Sequence, residues 1–197
     1  MPSPSDRTPA GPRQILRRTL LSRREQFVAT PQARGAASAL WGHLSPLLTQ
    51  LEPAVLGLYW AMRCEFNAAA PLLADRAAPD SQTAPSLALP FAQRAPVRMH
   101  YRAWDGAVPG GRDDCGLPSA QGTAVVPDVV LVPCVGYTAQ GFRLGYGGGY
   151  FDRWLAEHPD VTSVGVAWSL GEISADALDV QPHDQRLTLI VTERGVV

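Results

Sequence analysis

The sequence predicts a single α/β domain in which helices pack against a β-sheet. Short runs rich in Val and Leu, of strand length, alternate along the chain with segments whose apolar residues recur at helical spacing. This alternation is typical of a layered α/β domain. The 197 residues suffice for one substantial core and show no internal repeat. We therefore expect one domain over 13–197, after a disordered polar leader over 1–12 that lacks the apolar segment of a signal peptide.

The first half of the chain predicts three helices and one buried strand. Apolar residues at helical spacing indicate a helix over 13–28. A threonine followed by a proline is typical of the start of a second helix, over 30–50. The apolar run 54–60 favours a buried strand. A short helix over 67–75 and a polar, proline-containing loop over 76–85 follow.

The second half predicts further strands around a long polar segment and one short helix. Residues 104–127 are rich in Gly, Pro, Asp and Ser, which indicates either a binding loop or disorder. Phe151, Trp154 and Leu155 share one face of a helix that Pro159 ends. The predicted strands cover 97–101, 128–133, 161–168 and 187–192.

All 17 basic residues are arginine, and the chain contains no lysine. A Walker A phosphate loop requires a lysine, so that class of nucleotide site is excluded. Lysine Schiff-base and pyridoxal-phosphate chemistry are excluded for the same reason. Any cationic role therefore belongs to arginine, whose planar guanidinium binds phosphate through paired hydrogen bonds.

Net charge and cysteine content argue against several classes of partner and site. With a net charge of −1, the chain gives no sign of a nucleic-acid or anionic-membrane partner. No apolar run approaches the roughly 18 residues that span a membrane. Cys64, Cys115 and Cys134 are widely spaced and odd in number, which favours reduced cytoplasmic thiols over disulfides or a zinc site. We expect a monomeric, cytoplasmic protein that acts on small molecules.

The most informative segment is the run Gly141–Asp152, which has glycine at 145 and at 147–149. Glycine lets the backbone approach a ligand closely and adopts positive φ, so successive N–H groups form a concave anion site. Arg143 adds a cation that grips phosphate, and Asp152 offers an oxygen ligand for Mg²⁺. The pattern favours a nucleotide polyphosphate site over a tight structural turn. For Asp152, a metal role and a helix-dipole role fit the spacing equally.

Other candidate residues also have structural interpretations. Arg13 and Arg17 lie four apart on one helical face, where they either bind the same polyphosphate or form a solvated surface. Glu65, just beyond the first predicted strand, either binds a polar heterocycle or is a loop acid. Trp60 is either core or an aromatic wall. His183-Asp184 precedes the last strand, but the chain has no G-x-S-x-G element, which argues against a serine hydrolase.

The run Gly141–Arg153, with Pro133–Tyr137 before it, resembles the signature of the 5-formyltetrahydrofolate cyclo-ligases, also called 5,10-methenyltetrahydrofolate synthetases. The family pattern is VPG-x-x-F-D-x-x-G-x-RLG-x-G-x-G-[YF]-YD. Further family elements match in the same order: Arg13 and Arg17 in the first helix, Tyr59 and Glu65 after the first strand, His183-Asp184, and the closing Val191–Glu193. The resemblance covers nearly everything from about residue 13 onward.

The resemblance implies a fold and a reaction. The family fold is a three-layer α/β/α domain with a mixed, mostly parallel sheet, similar to the ribose-phosphate isomerase and CoA-transferase group. The reaction is the ATP- and Mg²⁺-dependent closure of 5-formyltetrahydrofolate to 5,10-methenyltetrahydrofolate, with release of ADP and phosphate. Such a reaction needs positioning and charge stabilisation rather than a protein nucleophile, which agrees with a chain that has no lysine and no obvious activated serine or cysteine.

The resemblance also assigns site residues. The implied catalytic residues are Arg143 and Tyr150, and the implied Mg²⁺ ligands are Asp152 and Asp184. The implied pterin contacts are Trp60, Glu65, Met99 and Tyr150. The implied ATP contacts are Arg13, Arg17, Arg143, Leu144, Gly145, Tyr146, Gly147, Gly148, Gly149 and Tyr150.

Departures from the family pattern keep other functions open. Arg13 stands where the family usually has lysine, and Cys115–Ala120 lacks the Glu-Pro of the family's pterin loop. Thr188 stands where the family commonly has an acid. One alternative is therefore a nucleotide- or folate-binding protein on the same fold that does not turn over. A sugar-phosphate isomerase is disfavoured, because the chain has no lysine and no evident acid/base pair for it.

Overall fold

The computed structural model describes residues 11–77 and 84–197. The helices are α1 (Pro12–Val28), α2 (Gln32–Leu51), α3 (Ala69–Arg76) and α4 (Tyr150–Glu157). The longer strands are β1 (Val55–Gly57), β2 (Ser86–Arg94), β3 (Val97–Trp104), β7 (Val129–Pro133), β10 (Thr162–Val166) and β11 (Leu189–Thr192). The two-residue strands are β4 (Gly111–Arg112), β5 (Pro118–Ser119), β6 (Ala124–Val125), β8 (Gly136–Tyr137), β9 (Arg143–Leu144) and β12 (Gly195–Val196).

One eight-stranded sheet organises the domain, with strand order β12-β11-β10-β7-β1-β2-β3-β6. The central pairings β11-β10, β10-β7, β7-β1 and β1-β2 are parallel, and the pairings at both edges are antiparallel. The sheet is therefore mixed and mostly parallel, as predicted. Because β7 and β1 are neighbours in its middle, the segments that follow these two strands emerge side by side.

Apolar side chains cover both faces of the sheet. The fully apolar strand β7 divides its residues between two clusters, because successive side chains point to opposite faces. Val129 and Leu131 pack with the α2 leucines, whereas Val130 and Val132 pack with residues of α4. Helices thus lie on both sides of the central strands, which is why these strands are apolar at every position.

Helix α1 reaches the segments that follow β7 through a third, smaller cluster. Leu20 and Leu21 of α1 pack there with Val135 and Leu144. Pro12 begins this helix, one residue before the predicted domain boundary, because proline at the first helical position has no N–H to leave unpaired. The rest of the predicted leader, residues 1–10, lies outside the described residues. The packing of α1 carries its arginines towards the glycine run.

Several predicted elements differ from the structure in extent. The predicted strand over 54–60 is only three residues long, since it pairs in regular register over Val55–Gly57 alone. Strand β2 was missed because Pro90 interrupts its pattern, but Pro90 lies beyond the part of β2 that pairs with β1. The segment 104–127 is ordered and includes the small β4-β5 sheet. Of the predicted loop over 76–85, residues 78–83 lie outside the described residues.

The described helices include none that is both long enough and apolar enough to cross a membrane. The three cysteines are free thiols. Cys134 is buried, and burial raises the pKa of its thiol to about 12, which makes it a poor nucleophile.

Candidate functional site

Glu65 and the glycine run, two parts of the predicted site, lie beyond the carboxyl ends of central parallel strands, where open α/β sheets bind ligands. Glu65 lies in the segment after β1, and the glycine run lies in the segment after β7. The run is held at its start by the β8-β9 hairpin and ends at α4, whose N-cap is Gly149. The fold therefore brings together two segments that are about 80 residues apart in sequence.

The backbone of the glycine run has the geometry of an anion site. Gly147 and Gly149 have φ of 97° and 63°, in the left-handed region that favours glycine. None of the backbone N–H groups of residues 145–149 donates a hydrogen bond to another described residue. Residues 145, 146 and 149 are half-buried, whereas Gly147 and Gly148 are exposed. Open N–H donors in succession at the surface are suited to a bound anion.

Two arginines brace this run from outside. Arg17 donates through Nε to the carbonyl of Gly145 at 2.6 Å, and Arg153 donates to the carbonyl of Gly148 at 2.8 Å. Neither guanidinium forms an ion pair with a carboxylate in the described part of the chain. Burial and the nearby Arg13 lower the pKa of Arg17, which still stays charged. The run thus carries uncompensated positive charge beside its open N–H groups.

The four glycines at 145 and 147–149 are not equivalent. A Cβ on Gly149 would lie 3.0 Å from Arg153, and one on Gly148 would lie 2.8 Å from the ring of Tyr150. A Cβ on Gly147 would lie 3.4 Å from the Arg17 guanidinium. Gly145 meets nothing within 4 Å and has no positive φ. Positive φ therefore favours glycine at 147 and 149, and close packing on Tyr150 favours it at 148, whereas neither applies at 145.

Arg143 and Asp152, which were predicted to serve a phosphoryl group and a metal, face each other. The Arg143 guanidinium donates to both carboxylate oxygens of Asp152, at 2.9 and 3.1 Å, and its side chain is buried. Asp152 Oδ1 also accepts from the backbone N–H of Gln185 at 3.1 Å. Each of the two side chains already has a counter-charge within the protein.

Arg13 and Asp184 form a second pair of the same kind. The two hydrogen bonds from Arg13 to the Asp184 carboxylate measure 2.6 and 3.1 Å, and the backbone N–H of Gln181 donates to the same carboxylate at 2.8 Å. Burial on its own would raise the pKa of Asp184, but these hydrogen bonds outweigh it and the pKa is lowered. Arg13 is therefore held in place by Asp184 rather than left open to a ligand.

These pairings bear on the predicted Mg²⁺ site. No group of three or more His, Cys, Asp or Glu side chains with metal-binding geometry occurs among the described residues. Asp152 and Asp184 both have hard oxygen atoms, but each is already engaged by an arginine. Mg²⁺ commonly takes only one or two protein carboxylates together with phosphate oxygens and water. The residues therefore fit a Mg²⁺ that arrives with a polyphosphate, and do not fit a site made of protein ligands alone.

Glu65 lies in a buried polar network rather than at an open surface. Its Oε1 accepts from the Tyr146 hydroxyl at 2.7 Å, and its Oε2 accepts from the backbone N–H of Met62 at 2.9 Å. The guanidinium of Arg24 lies 4.0 Å from Oε1 and donates to the Tyr146 hydroxyl. Burial raises the pKa of Glu65, and these polar partners oppose the rise without cancelling it.

A match to a family model decides what kind of protein this is. The model of the 5-formyltetrahydrofolate cyclo-ligase family matches residues 10–193. The chain belongs to this family.

A cyclo-ligase of Mycolicibacterium smegmatis is 37% identical over 71 residues, which is 36% of this chain and 36% of the relative. A cyclo-ligase of Mycoplasma pneumoniae is 40% identical over 57 residues, or 27% of this chain and 35% of the relative. These alignments cover about a third of each curated relative's length.

Solved structures of two 5,10-methenyltetrahydrofolate synthetases have the same fold. The Mycoplasma pneumoniae protein matches with a TM-score of 0.73 and 18% identity, over 92% of this chain and 98% of the other. The Aquifex aeolicus protein matches with a TM-score of 0.71 and 23% identity, over 93% and 91%. The predicted α/β fold with a mixed sheet is thus confirmed, as is the resemblance to the cyclo-ligase family.

The remaining residues that the cyclo-ligase resemblance assigns are more scattered. Trp60 packs edge-to-face on Trp104, with ring centroids 6.5 Å apart, in the α2-side core. Met99 is buried in the α4-side core, where Tyr150 packs at the margin. Leu144 is fully buried, so its side chain is not accessible to a ligand. The structure does not place Trp60 and Met99 in one cluster.

Cys115 brings the segment 104–127 into contact with the predicted site. Cys115 Sγ lies 3.3 Å from the Tyr150 hydroxyl. That contact raises the pKa of Tyr150. The segment that departs from the family pattern therefore touches a residue predicted to be catalytic.

Sequence reasoning gave no role to Arg153 and did not predict the side-chain contacts of Arg24 and Tyr146. Arg24 continues the helical stripe of Arg13 and Arg17, which indicates a shared helix face but not its partners. Arg153 follows the run within one turn of helix, where a side chain can reach back to the preceding carbonyls. The pairing of Tyr146 with Glu65 carried no local signal, because 81 residues separate them.

Proposed function

We propose that this protein is an active 5-formyltetrahydrofolate cyclo-ligase. It converts 5-formyltetrahydrofolate and ATP to 5,10-methenyltetrahydrofolate, ADP and phosphate. Family membership over residues 10–193 supports the reaction class. The observation that carries the proposal is the row of open backbone N–H groups over 145–149, flanked by the unpaired guanidinium groups of Arg17 and Arg153. That arrangement is suited to a triphosphate.

The chemistry suits a site without a protein nucleophile. The formyl oxygen on N5 attacks the γ-phosphorus of ATP, and ADP leaves. The N10 nitrogen then attacks the activated formyl carbon, N10 loses its proton, and phosphate departs as the ring closes. The protein needs to hold the two substrates in line and stabilise charge on the transferring group. The run 145–149 and Arg17 would bind the phosphates, and Glu65 would bind the heterocycle of the folate.

A divalent cation completes the proposed site. Mg²⁺ supplies charge neutralisation for the phosphates when it is bound. Asp152 is the better candidate for a protein ligand, because its side chain is 15% exposed whereas that of Asp184 is 5% exposed. The assignment requires that Asp152 accept a metal bond in addition to its hydrogen bonds from Arg143.

Absorbance in the methenyltetrahydrofolate band tests the proposal directly. Purified protein is mixed with 5-formyltetrahydrofolate and MgCl₂, with and without ATP. We expect the band to grow only when ATP is present, with one ADP formed per product molecule. A folded protein that gives no band under these conditions would refute the activity.

One observation favours a second candidate, a nucleotide- and folate-binding protein without turnover. Arg143 would stabilise the transferring phosphoryl group. Its side chain is buried, however, and both of its terminal nitrogens donate hydrogen bonds to Asp152. If the pair stays closed when ATP binds, Arg143 cannot serve the phosphate. Tight binding of both ligands with no ADP release would establish this second candidate.

A further inference from the structure

Three side chains from distant segments meet at the Tyr146 hydroxyl. Tyr146 belongs to the glycine run, Glu65 to the segment after β1, and Arg24 to α1. The hydroxyl donates to Glu65 Oε1 at 2.7 Å and accepts from Arg24 at 2.5 Å. The side chains of Arg24 and Glu65 are each only 3% exposed. Among the described residues, the phenol oxygen is therefore the one hydrogen-bonded link between the glycine run and the acid predicted to bind the heterocycle.

The network is not arranged for stability alone. Arg24 Nε is buried and has no hydrogen-bond partner among the described residues, which is an unfavourable state for a charged donor. Replacing buried ion pairs with apolar side chains is often neutral or stabilising in proteins. A site that only had to fold would be served better by apolar packing here. The network instead fixes the position of the Glu65 carboxylate.

The backbone next to Glu65 is also held in an unusual conformation. Arg63 and Cys64 have φ of 47° and 64°, and two successive non-glycine residues in this region are strained. Contacts on both sides maintain the turn: Glu65 Oε2 accepts from the Met62 N–H, and Trp168 Nε1 donates to the Cys64 carbonyl at 3.0 Å. Strain of this kind persists where the surroundings impose it, and it occurs mainly at functional sites.

We propose that Tyr146 and Arg24 are positioning residues that couple the two substrate sites of this enzyme. When a polyphosphate orders the glycine run, the Tyr146 hydroxyl fixes Glu65 in the orientation that accepts the heterocycle. The two ligands then bind with positive cooperativity. The inference rests on the proposed function, since it takes ATP and 5-formyltetrahydrofolate as the ligands.

The test measures the affinity for 5-formyltetrahydrofolate by calorimetry, with and without a non-hydrolysable ATP analogue and MgCl₂. In the wild-type protein, we expect the analogue to tighten folate binding by about 5-fold or more, and folate to tighten analogue binding by the same factor. In Tyr146→Phe, which keeps the ring and the backbone, that ratio should fall to near one. The affinity for each ligand alone should change less than the ratio does.

Tyr101→Phe is the matched control. Its hydroxyl is buried and has no hydrogen-bond partner among the described residues, so removing it should leave the ratio at the wild-type value. A wild-type ratio that persists in a folded Tyr146→Phe would overturn the positioning role, as would a ratio of one in the wild type. A wild-type protein that binds neither ligand would refute the proposed function itself, which is a separate result.

Discussion

At the scale of single residues, the site is built from arginine–carboxylate pairs whose two members were predicted to bind different ligands. Arg143 was assigned to phosphate and Asp152 to Mg²⁺, yet they bind each other through two hydrogen bonds. Arg13 and Asp184 do the same. Spacing along the chain could suggest both partners of each pair, but pairing depends on the fold, which brings residues 171 positions apart into contact.

The first prediction concerns Asp152. Asp152→Asn keeps the size of the side chain but removes the negative charge that a Mg²⁺ ligand requires. We expect turnover to fall roughly 100-fold or more, with a higher Mg²⁺ concentration needed for half-maximal rate, because the metal would help to neutralise the transferring phosphate. Steady-state rates over a MgCl₂ titration check this. An unchanged Mg²⁺ dependence, in a variant that melts like the wild type, would leave Asp152 only its structural role beside Arg143.

The second prediction concerns the pH dependence of stability through Asp184. Its lowered pKa means that the folded state favours the ionised carboxylate, so the stabilisation is present above the unfolded pKa near 3.8 and is lost as pH falls through the lower folded value. Arg13→Gln removes the main partner. We expect it to lower the unfolding free energy by about 1 kcal/mol at pH 7 and by less at pH 3, which lies below the unfolded pKa. Urea unfolding of both proteins at the two pH values measures this.

The raised pKa of Glu65 acts in the opposite direction, because its folded state favours the neutral carboxyl. Wild type and Arg13→Gln share this group, so their difference isolates Asp184. Equal destabilisation by Arg13→Gln at both pH values would show that the pair contributes nothing through ionisation.

At the scale of elements, the glycine run is a short connection shaped by its neighbours. The third prediction compares alanine substitutions within it. Gly149→Ala places a Cβ 3.0 Å from Arg153 at φ of 63°, so it should weaken binding of an ATP analogue by about 10-fold and cost roughly 1 kcal/mol of stability. Gly145→Ala is the control, since its Cβ meets nothing within 4 Å. Calorimetry and thermal melting measure both effects. Equal losses in the two variants would show that the tight backbone geometry is not what binds the phosphates.

Local patterns predicted the elements that have strong periodicity. The helix over 13–28, the strand over 128–133 and the helix opened at the end of the glycine run are all confirmed, because each has a continuous apolar stripe or run. Strand β2 was missed, since a proline within a strand normally argues against it. The pairing of β2 explains the exception. Strand β2 pairs with β3 along most of its length, but it pairs with β1 through only three residues, and the proline lies beyond them.

At the scale of the whole molecule, the order of the strands decides which segments form the site. Placing β7 beside β1 brings the glycine run to Glu65, and packing α1 against the segments after β7 adds three arginines from the start of the chain. Neither arrangement can be read from local sequence, because each depends on contacts between segments 80 or more residues apart. The family resemblance instead implied a shared site for these residues and a mixed-sheet fold, and the two solved synthetases agree with that fold.

The last prediction uses the thermal stability of the whole domain to test whether Arg17 binds phosphate. A ligand that binds only the folded state stabilises it, by about 2.7 kcal/mol at 100 times the Kd, which corresponds to a Tm increase of roughly 5–10 °C for a domain of this size. We expect a non-hydrolysable ATP analogue with MgCl₂ to produce such a shift. Arg17→Met should remove most of it, because Arg17 combines an unpaired charge with a direct contact to the run.

Arg18→Met is the matched control: the same charge is removed from the next position of α1, where the side chain is exposed. If both variants keep the full shift, the phosphates are held without Arg17, and the open N–H groups with the remaining arginines must account for binding.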